Sequence, residues 1–199
     1  MAVAVQSTPF LTPEEYLERE RRSVEHKSEY RDGEILAMSG ASLAHNRINS
    51  NLVRHLGNQL HGGPCEVLAQ DMKTRSTPTR FSYPNVIVVC GEPEFLDENQ
   101  DVITNPAVII EILSPSTEAY DRGEKFASYQ QGDSLQEYVL VAQDRLSVEH
   151  YRRQREDNVW LYERLDRSDS RLRLTSVGCD VALSDIYERV QVAAAAAAE

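Results

Sequence analysis

The sequence predicts a mixed α/β (α+β) domain in which a central mixed sheet is flanked by helices. Apolar residues recur at four-residue steps from Ile48 to Leu60, the spacing that gives a helix one apolar face. Two apolar runs, 85–90 and 108–113, have the length and β-branched content of buried strands. Because such helices and strands must bury their apolar faces against one another, they indicate a layered core.

The N-terminal third is predicted to hold two helices separated by a hairpin. The first helix runs from Thr12 to about Arg22, since a capping threonine, a first-turn proline and Glu15 form a capping box. Asp32-Gly33 is typical of a two-residue hairpin turn. The long helix begins at Ser42 or Ala44, and Gly62-Gly63-Pro64 ends it.

The rest of the chain is predicted to form mainly strands, with a helix over 120–130 and a short closing helix over 185–190. The polar, acidic segment 91–105 is expected to be a loop. We expect one domain over 1–190 and an Ala-rich tail over 191–199. The remaining predicted strands are 66–69, 138–142 and a late antiparallel meander of 147–153, 159–164 and 172–175.

The charge balance is unfavourable for a protein that binds nucleic acid over its whole surface. Lys plus Arg number 21 against 32 Asp plus Glu, a net charge of −11. Phosphate contacts need local positive charge, but a basic region can coexist with an acidic remainder. The composition therefore does not exclude a nucleic-acid substrate.

The cysteines and the apolar runs indicate the compartment. Cys65, Cys90 and Cys179 are far apart, odd in number and form no CxxC pair, so we expect three reduced core residues. No apolar run is long enough to cross a bilayer, and the first residues lack a signal-peptide pattern. The sequence predicts a cytoplasmic protein without membrane contact.

Glu111 is the residue that first indicates chemistry, because it interrupts the apolar run 108–113. A buried carboxylate is costly unless it is paired, hydrogen-bonded or bound to a cation. From the strand alone, a metal ion and an arginine partner are equally good explanations.

Several segments, taken in order and spacing over about 10–190, resemble a known family. The chain is similar to the restriction-endonuclease-like proteins that are abundant in cyanobacteria and carry the PD-(D/E)XK nuclease fold. The matching segments are Glu29-Tyr30-Arg31-Asp32-Gly33-Glu34, His45, Tyr83-Pro84-Asn85-Val86, Glu111-Ile112-Leu113-Ser114-Pro115-Ser116-Thr117, and 121–129 with Lys125.

The resemblance implies a metal-dependent endonuclease that hydrolyses DNA phosphodiester bonds. Its site would consist of Glu29, Asn85, Glu111 and Lys125, with Asn85 and Glu111 holding Mg²⁺ or Mn²⁺. Lys125 would offset charge on the phosphate, and Glu29 would assist as an auxiliary acid. A homodimer would suit an enzyme that cuts two strands.

The chain departs from the family pattern at two positions. Leu113 stands where the motif lysine is expected, and the resemblance places that lysine on the next helix at Lys125; the alternative is an exposed lysine paired with Asp121. Asn85 stands where the family has aspartate, and an amide oxygen brings no negative charge to a cation. Asp71 could substitute for the missing acid.

Three functions remain open at this level. The first is the endonuclease, with activity reduced by Asn85. The second is a catalytically inactive nuclease-fold protein that acts as a binding or interaction module. The third, an acidic-pair hydrolase such as a glycosidase, has little support, because no two carboxylates are set at a fixed separation.

Overall fold

The architecture consists of a five-stranded sheet, a six-stranded sheet and a small two-stranded sheet, with helices packed on them. The computed structural model describes residues 10–24, 26–38, 40–69, 71–154 and 159–192. In chain order the elements are α1 (Pro13–Arg22), β1 (Ser28–Arg31), β2 (Glu34–Ala37), α2 (Leu43–Leu60), β3 (Cys65–Ala69), β4 (Lys73–Thr77), β5 (Arg80–Ser82), β6 (Val86–Cys90), β7 (Val102–Ile103), β8 (Val108–Leu113), α3 (Glu118–Tyr120), a π-helical turn (Asp121–Lys125), α4 (Phe126–Tyr129), β9 (Glu137–Ala142), β10 (Val148–Arg153), β11 (Trp160–Leu165), β12 (Arg171–Leu174), β13 (Cys179–Ala182) and α5 (Leu183–Ile186).

The N-terminal elements form as the sequence predicts. The Thr12 side chain accepts a hydrogen bond from the Glu15 amide, and the Glu15 carboxylate accepts one from the Thr12 amide, which completes the capping box of α1. Asp32 and Gly33 join β1 to β2 with φ values of 48° and 100°. A two-residue turn with both central residues at positive φ matches the twist of the hairpin strands. Ser42 caps α2 through its side chain.

The six-stranded sheet has the order β11-β10-β9-β8-β6-β3, in which β8 and β9 are parallel and the other neighbours antiparallel. Alternate residues of β8 point to opposite faces. Val108, Ile110 and Ile112 join the main core with the apolar face of α2. Ile109 and Leu113 join the core beneath α4. Glu111 therefore lies on the α4 face of the sheet.

The five-stranded sheet has the order β2-β1-β5-β4-β7 and was not predicted as a separate layer. The segment 91–105 is not entirely a loop, because β7 pairs in parallel with β4. The prediction of a late antiparallel meander is also wrong in part. β12 pairs with β13 in a separate sheet and does not pair with β11. The closing helix ends earlier than expected, at Ile186.

The cysteine prediction is wrong for two of the three residues. Cys65 and Cys90 lie directly opposite each other on β3 and β6, with their Cα atoms 4.0 Å apart, and form a disulfide. The sequence reasoning missed the pair because the partners are 25 residues apart and become neighbours only through antiparallel register. Cys179 is free and buried, as expected.

Two further predictions concern membranes and the C-terminal tail. None of the helices in the described ranges is both long and apolar enough to span a membrane. The predicted Ala-rich tail lies outside the described residues except for Gln191 and Val192.

A buried hydrogen-bonded pair, Glu137 and His150, holds the loop between β12 and β13 against the six-stranded sheet. Glu137 and His150 are each 1% exposed, and Glu137 Oε2 lies at hydrogen-bonding distance from His150 Nε2. Glu137 Oε1 accepts the backbone N–H of Ser176 at 2.6 Å. Burial alone would raise the pKa of Glu137, but these hydrogen bonds outweigh it and lower the pKa.

Replacing Glu137 with glutamine is expected to reduce the free energy of unfolding at pH 7 by about 2 kcal/mol, since the hydrogen bonds that His150 and the Ser176 amide make to a charged carboxylate are lost or weakened. A depressed carboxyl pKa contributes stability above the unfolded value that disappears as pH falls through the folded value. The difference in unfolding free energy between the wild type and Glu137→Gln should therefore be smaller when urea titrations are repeated near pH 4. Glu163→Gln, which removes the exposed Arg152 pair, should cost less than about 1 kcal/mol; equal losses in both variants would contradict the assignment.

Candidate active site

Three carboxylates from three parts of the chain surround one ammonium group. Lys125 Nζ lies 3.0 Å from Glu29 Oε1, 2.9 Å from Glu111 Oε1 and 3.4 Å from Asp121 Oδ1. Glu29 comes from β1 of the five-stranded sheet and Glu111 from β8 of the six-stranded sheet. The cluster therefore sits where the two sheets meet.

The π-helical turn between α3 and α4 places two of these residues. Asp121 and Lys125 are 3% and 5% exposed, although the helix they belong to carries exposed residues on its other side. A π-helical turn inside a helix is uncommon and is often found at functional sites. The Asp121–Lys125 pair considered from sequence is present, but Lys125 is buried in the cluster and is not an exposed helix lysine.

The segment 83–85 connects the two sheets, since β5 precedes it and β6 follows it. The Tyr83 amide donates to Glu29 Oε1 at 3.1 Å, and Lys125 donates to the same oxygen. Two residues later, Asn85 Oδ1 accepts the Ile112 amide at 2.7 Å. Residues 83–85 therefore contact both sheets. The Tyr83 amide binds Glu29 of β1, and the Asn85 side chain binds the Ile112 amide of β8.

Glu111 is as deeply buried as Asp121, at 3% exposure. Within the described residues its Oε1 has no hydrogen bond of good geometry, although Lys125 Nζ lies 2.9 Å away. Burial raises the pKa of Glu111 to about 8; Lys125 opposes this increase, while Asp121 and Glu29 add to it. For Lys125, burial alone would lower the pKa, but Glu111 and Glu29 outweigh it and raise the pKa well above its usual value.

Asn85 has a fixed side-chain orientation. Because its Oδ1 accepts the Ile112 N–H, its Nδ2 points to His45 Nε2 at 3.2 Å. Nδ2 can only donate, so Nε2 of His45 must accept, and the imidazole proton is assigned to Nδ1. Burial lowers the pKa of His45, which agrees with a neutral ring. His45, one of the residues on which the family resemblance rested, therefore contacts Asn85.

Aromatic side chains form one wall of the cluster and hold the π-helical turn. The Tyr138 hydroxyl donates to the Asp121 carbonyl at 3.0 Å, and the Tyr129 hydroxyl lies 2.6 Å from Ser82 Oγ. Lys125 Nζ lies 6.0 Å from the centre of the Tyr120 ring. The first two contacts hold the helical segment from which the Lys125 side chain extends.

Asp71, which the sequence suggested as a substitute for the acid at position 85, lies outside the cluster. Its carboxylate pairs with Lys27, and its side chain is 77% exposed.

Comparison with known proteins assigns the family. The sequence model described as "Uma2: Putative restriction endonuclease" matches residues 13–183. The chain belongs to the Uma2 family. The resemblance drawn from the motif segments is thereby confirmed.

Relatives and a solved structure agree with the Uma2 assignment. Two Synechocystis sp. proteins, "Uncharacterized protein slr1290" and "Uncharacterized protein sll1609", are 42% identical over 184 residues and 39% identical over 164 residues. These matches cover 91% and 82% of this chain and 94% and 92% of the relatives. A "putative nuclease belonging to DUF820" from Anabaena variabilis is 20% identical, with a TM-score of 0.73 over 89% of this chain and 97% of that one. This structural neighbour confirms the fold class.

The residues of this Uma2 protein fit a divalent cation only as an open site. Within the described residues, the buried Glu111 Oε1 has no hydrogen bond of good geometry and contacts only the Lys125 ammonium at 2.9 Å, and carboxylate and amide oxygens suit Mg²⁺. Within the described ranges, no group of three or more His, Cys, Asp or Glu residues is arranged to hold a metal. Mg²⁺ commonly uses one or two carboxylates and completes its shell with water and substrate phosphate. The donor set fits that arrangement and does not fit a closed protein cage.

The structure brings together all four residues that the resemblance singled out in this Uma2 chain. Glu29, Glu111 and Lys125 are in direct contact, and Asn85 joins them through the backbone of Ile112. Sequence reasoning missed Asp121 as a third carboxylate of the cluster and gave no role to Tyr120. The i,i+4 spacing of Asp121 and Lys125 indicated a pair but not its burial.

Proposed function

We propose that this Uma2 protein is a metal-dependent endonuclease that hydrolyses phosphodiester bonds in DNA. The observation that carries the proposal is the convergence of Glu29, Glu111 and Lys125 at the junction of the two sheets. Three carboxylates around one ammonium group leave an excess of negative charge, which a divalent cation would neutralise. The cytoplasmic location and the homodimer considered from sequence stay predictions.

Glu111 and Asn85 are the residues that would hold Mg²⁺ or Mn²⁺. When bound, the cation would supply Lewis-acid stabilisation of the phosphoryl group and would lower the pKa of a coordinated water. Lys125 would donate to a phosphate oxygen as negative charge develops there. Glu29 would hold Lys125 in place, and the Ile112 amide and His45 would keep the Asn85 carboxamide in one orientation.

A cleavage panel tests the proposal directly. Supercoiled plasmid, linear duplex and single-stranded DNA are incubated with Mg²⁺, Mn²⁺ or chelator, beside Lys125→Met. We expect cation-dependent cleavage of at least one DNA that chelator and the variant both abolish. Cleavage that survives either treatment would contradict the proposed chemistry.

A second candidate function is an inactive nuclease fold that binds a partner. The observation in its favour is that Asn85 brings no charge to the site and its amide oxygen is already hydrogen-bonded to Ile112. Saturable Mn²⁺ binding without cleavage of any DNA would favour this candidate over the endonuclease.

Replacing Asn85 with aspartate is expected to raise Mg²⁺ affinity by roughly tenfold, the free energy of about one charged contact. The new carboxylate keeps the acceptor for the Ile112 amide and places a second oxygen against His45 Nε2, which must then carry the ring proton and donate to that oxygen. Isothermal titration calorimetry of wild type, Asn85→Asp and the isosteric surface change Asn99→Asp measures the effect. Equal affinities in all three proteins would refute the role assigned to position 85.

A further inference from the structure

An arginine pair borders an open cleft beside the catalytic cluster. Arg31 on β1 lies directly opposite Arg80 on β5, on the same face of the sheet as Glu29. Like charges placed directly opposite on neighbouring strands are destabilising unless anions compensate them. The cleft in front of them has a volume of about 490 Å³ and is also lined by Asp32, Glu34 and Glu124.

The two arginines are held in different ways. Arg80 donates to Asp32 Oδ2 at 2.8 and 2.6 Å and to the Glu124 carbonyl at 3.3 Å, so its guanidinium is anchored to the hairpin turn and the π-helical turn. Among the described residues, the side-chain hydrogen bonds of Arg31 go to Glu34 at 3.1 Å and to Glu124 at 3.3 Å. Those two glutamate side chains are 68% and 62% exposed. Ion pairs of this kind contribute little and exchange readily.

Arg31 is also connected to the catalytic cluster. Its guanidinium carbon lies 5.4 Å from the centre of the Tyr120 ring, and Lys125 Nζ lies 6.0 Å from the same ring. A ligand group bound at Arg31 would therefore lie close to the Tyr120 side chain that also borders Lys125. The planar fork of a guanidinium suits a phosphate, which it can bind through two parallel hydrogen bonds.

We propose that Arg31 binds a phosphodiester group of the DNA backbone adjacent to the scissile one, and that this phosphate replaces the carboxylates of Glu34 and Glu124. Arg80 is a positioning residue that adds positive charge and stays anchored to Asp32. The inference rests on the proposed function for the identity of its ligand. It explains how a chain with a net charge of −11 can bind DNA: the compensating acids are exposed and displaceable.

The test measures the affinity of a fluorescein-labelled 20-base-pair duplex in chelator, over a series of salt concentrations. Arg31→Gln should weaken binding about tenfold and reduce the slope of log affinity against log salt by about 0.9, the loss of one phosphate contact. Arg31→Lys keeps the positive charge but loses the paired guanidinium donors, so its affinity for the duplex should lie between those of the wild type and Arg31→Gln. Glu34→Gln should tighten binding severalfold. Arg164→Gln and Glu163→Gln on β11 are charge-matched controls at exposed positions.

The outcomes separate this proposal from the proposed function. Arg31→Gln binding like Arg164→Gln overturns the phosphate site while leaving cation-dependent cleavage intact. Absence of duplex binding by the wild type in chelator also overturns it. Duplex binding that depends on Arg31, without cleavage of any DNA, supports the phosphate site and counts against the endonuclease.

Discussion

Replacing Glu111 with alanine is expected to remove saturable Mn²⁺ binding. Changes in groups that merely support a metal ligand cost 10- to 100-fold in affinity, so loss of the main carboxylate should exceed about 100-fold. Glu111 is the carboxylate whose buried Oε1 has no hydrogen bond of good geometry in the described chain, and Asn85 cannot supply the missing charge. Calorimetry with Mn²⁺ compares wild type and variant at the same pH.

The Glu111 experiment needs a control for folding and for general loss of charge. Glu163→Ala removes a carboxylate from an exposed position of β11 and should bind Mn²⁺ as the wild type does. Thermal unfolding of all three proteins shows whether the variants remain folded. Unchanged Mn²⁺ binding by Glu111→Ala would contradict a cation site at this residue.

Replacing Lys125 with methionine is expected to lower the free energy of unfolding by about 3–5 kcal/mol at pH 7, because removing one partner of a buried ionic cluster leaves the others uncompensated. Glu29, Glu111 and Asp121 would then face one another without a cation. Methionine keeps the length of the side chain, so most of the loss is electrostatic. Urea unfolding measures it.

The pH dependence of the Lys125 variant distinguishes charge from packing. Without the ammonium group, the buried Glu111 carboxyl, whose pKa is already raised, has a still higher pKa. Glu111 is protonated in the variant but not in the wild type only between the wild-type pKa of about 8 and the higher pKa of the variant, so the deficit should shrink as pH falls from about pH 10 toward pH 8 and stay level below that. A deficit independent of pH would indicate lost packing instead. Lys27→Met, at the exposed pair with Asp71, should cost less than about 1 kcal/mol.

The helices and the central strands could be predicted from the sequence because their signals are local. The capping box at Thr12, the turn at Asp32-Gly33 and the apolar run 108–113 each lie within a few residues, and each forms the expected element. β4 and β5 carry no comparable signal, since polar residues dominate both short strands. The strands that pair with β4 and β5 are determined by the tertiary arrangement of the five-stranded sheet, which the local sequence does not indicate.

The four proposed site residues could be selected only through resemblance to a family. Composition and periodicity identified Glu111 as a costly buried carboxylate and left its partner open. The partner proved to be Lys125, which the structure brings to Glu111 through a π-helical turn that no spacing in the sequence indicates. The Cys65–Cys90 disulfide was missed for a related reason, because strand register, and not spacing, makes those residues neighbours.

The position of the cluster at the junction of two sheets has a consequence for folding. Glu29 and Lys125 are 96 residues apart in sequence, and Glu29 and Tyr83 are 54 apart. Contacts between distant residues form late, because the entropy of closing a long loop must be overcome first. Either sheet could form its own ladder of hydrogen bonds while the cluster is still unassembled. The ionic cluster is therefore expected to be among the last native features acquired during refolding, so that a partly folded chain would lack the complete constellation of Glu29, Glu111 and Lys125.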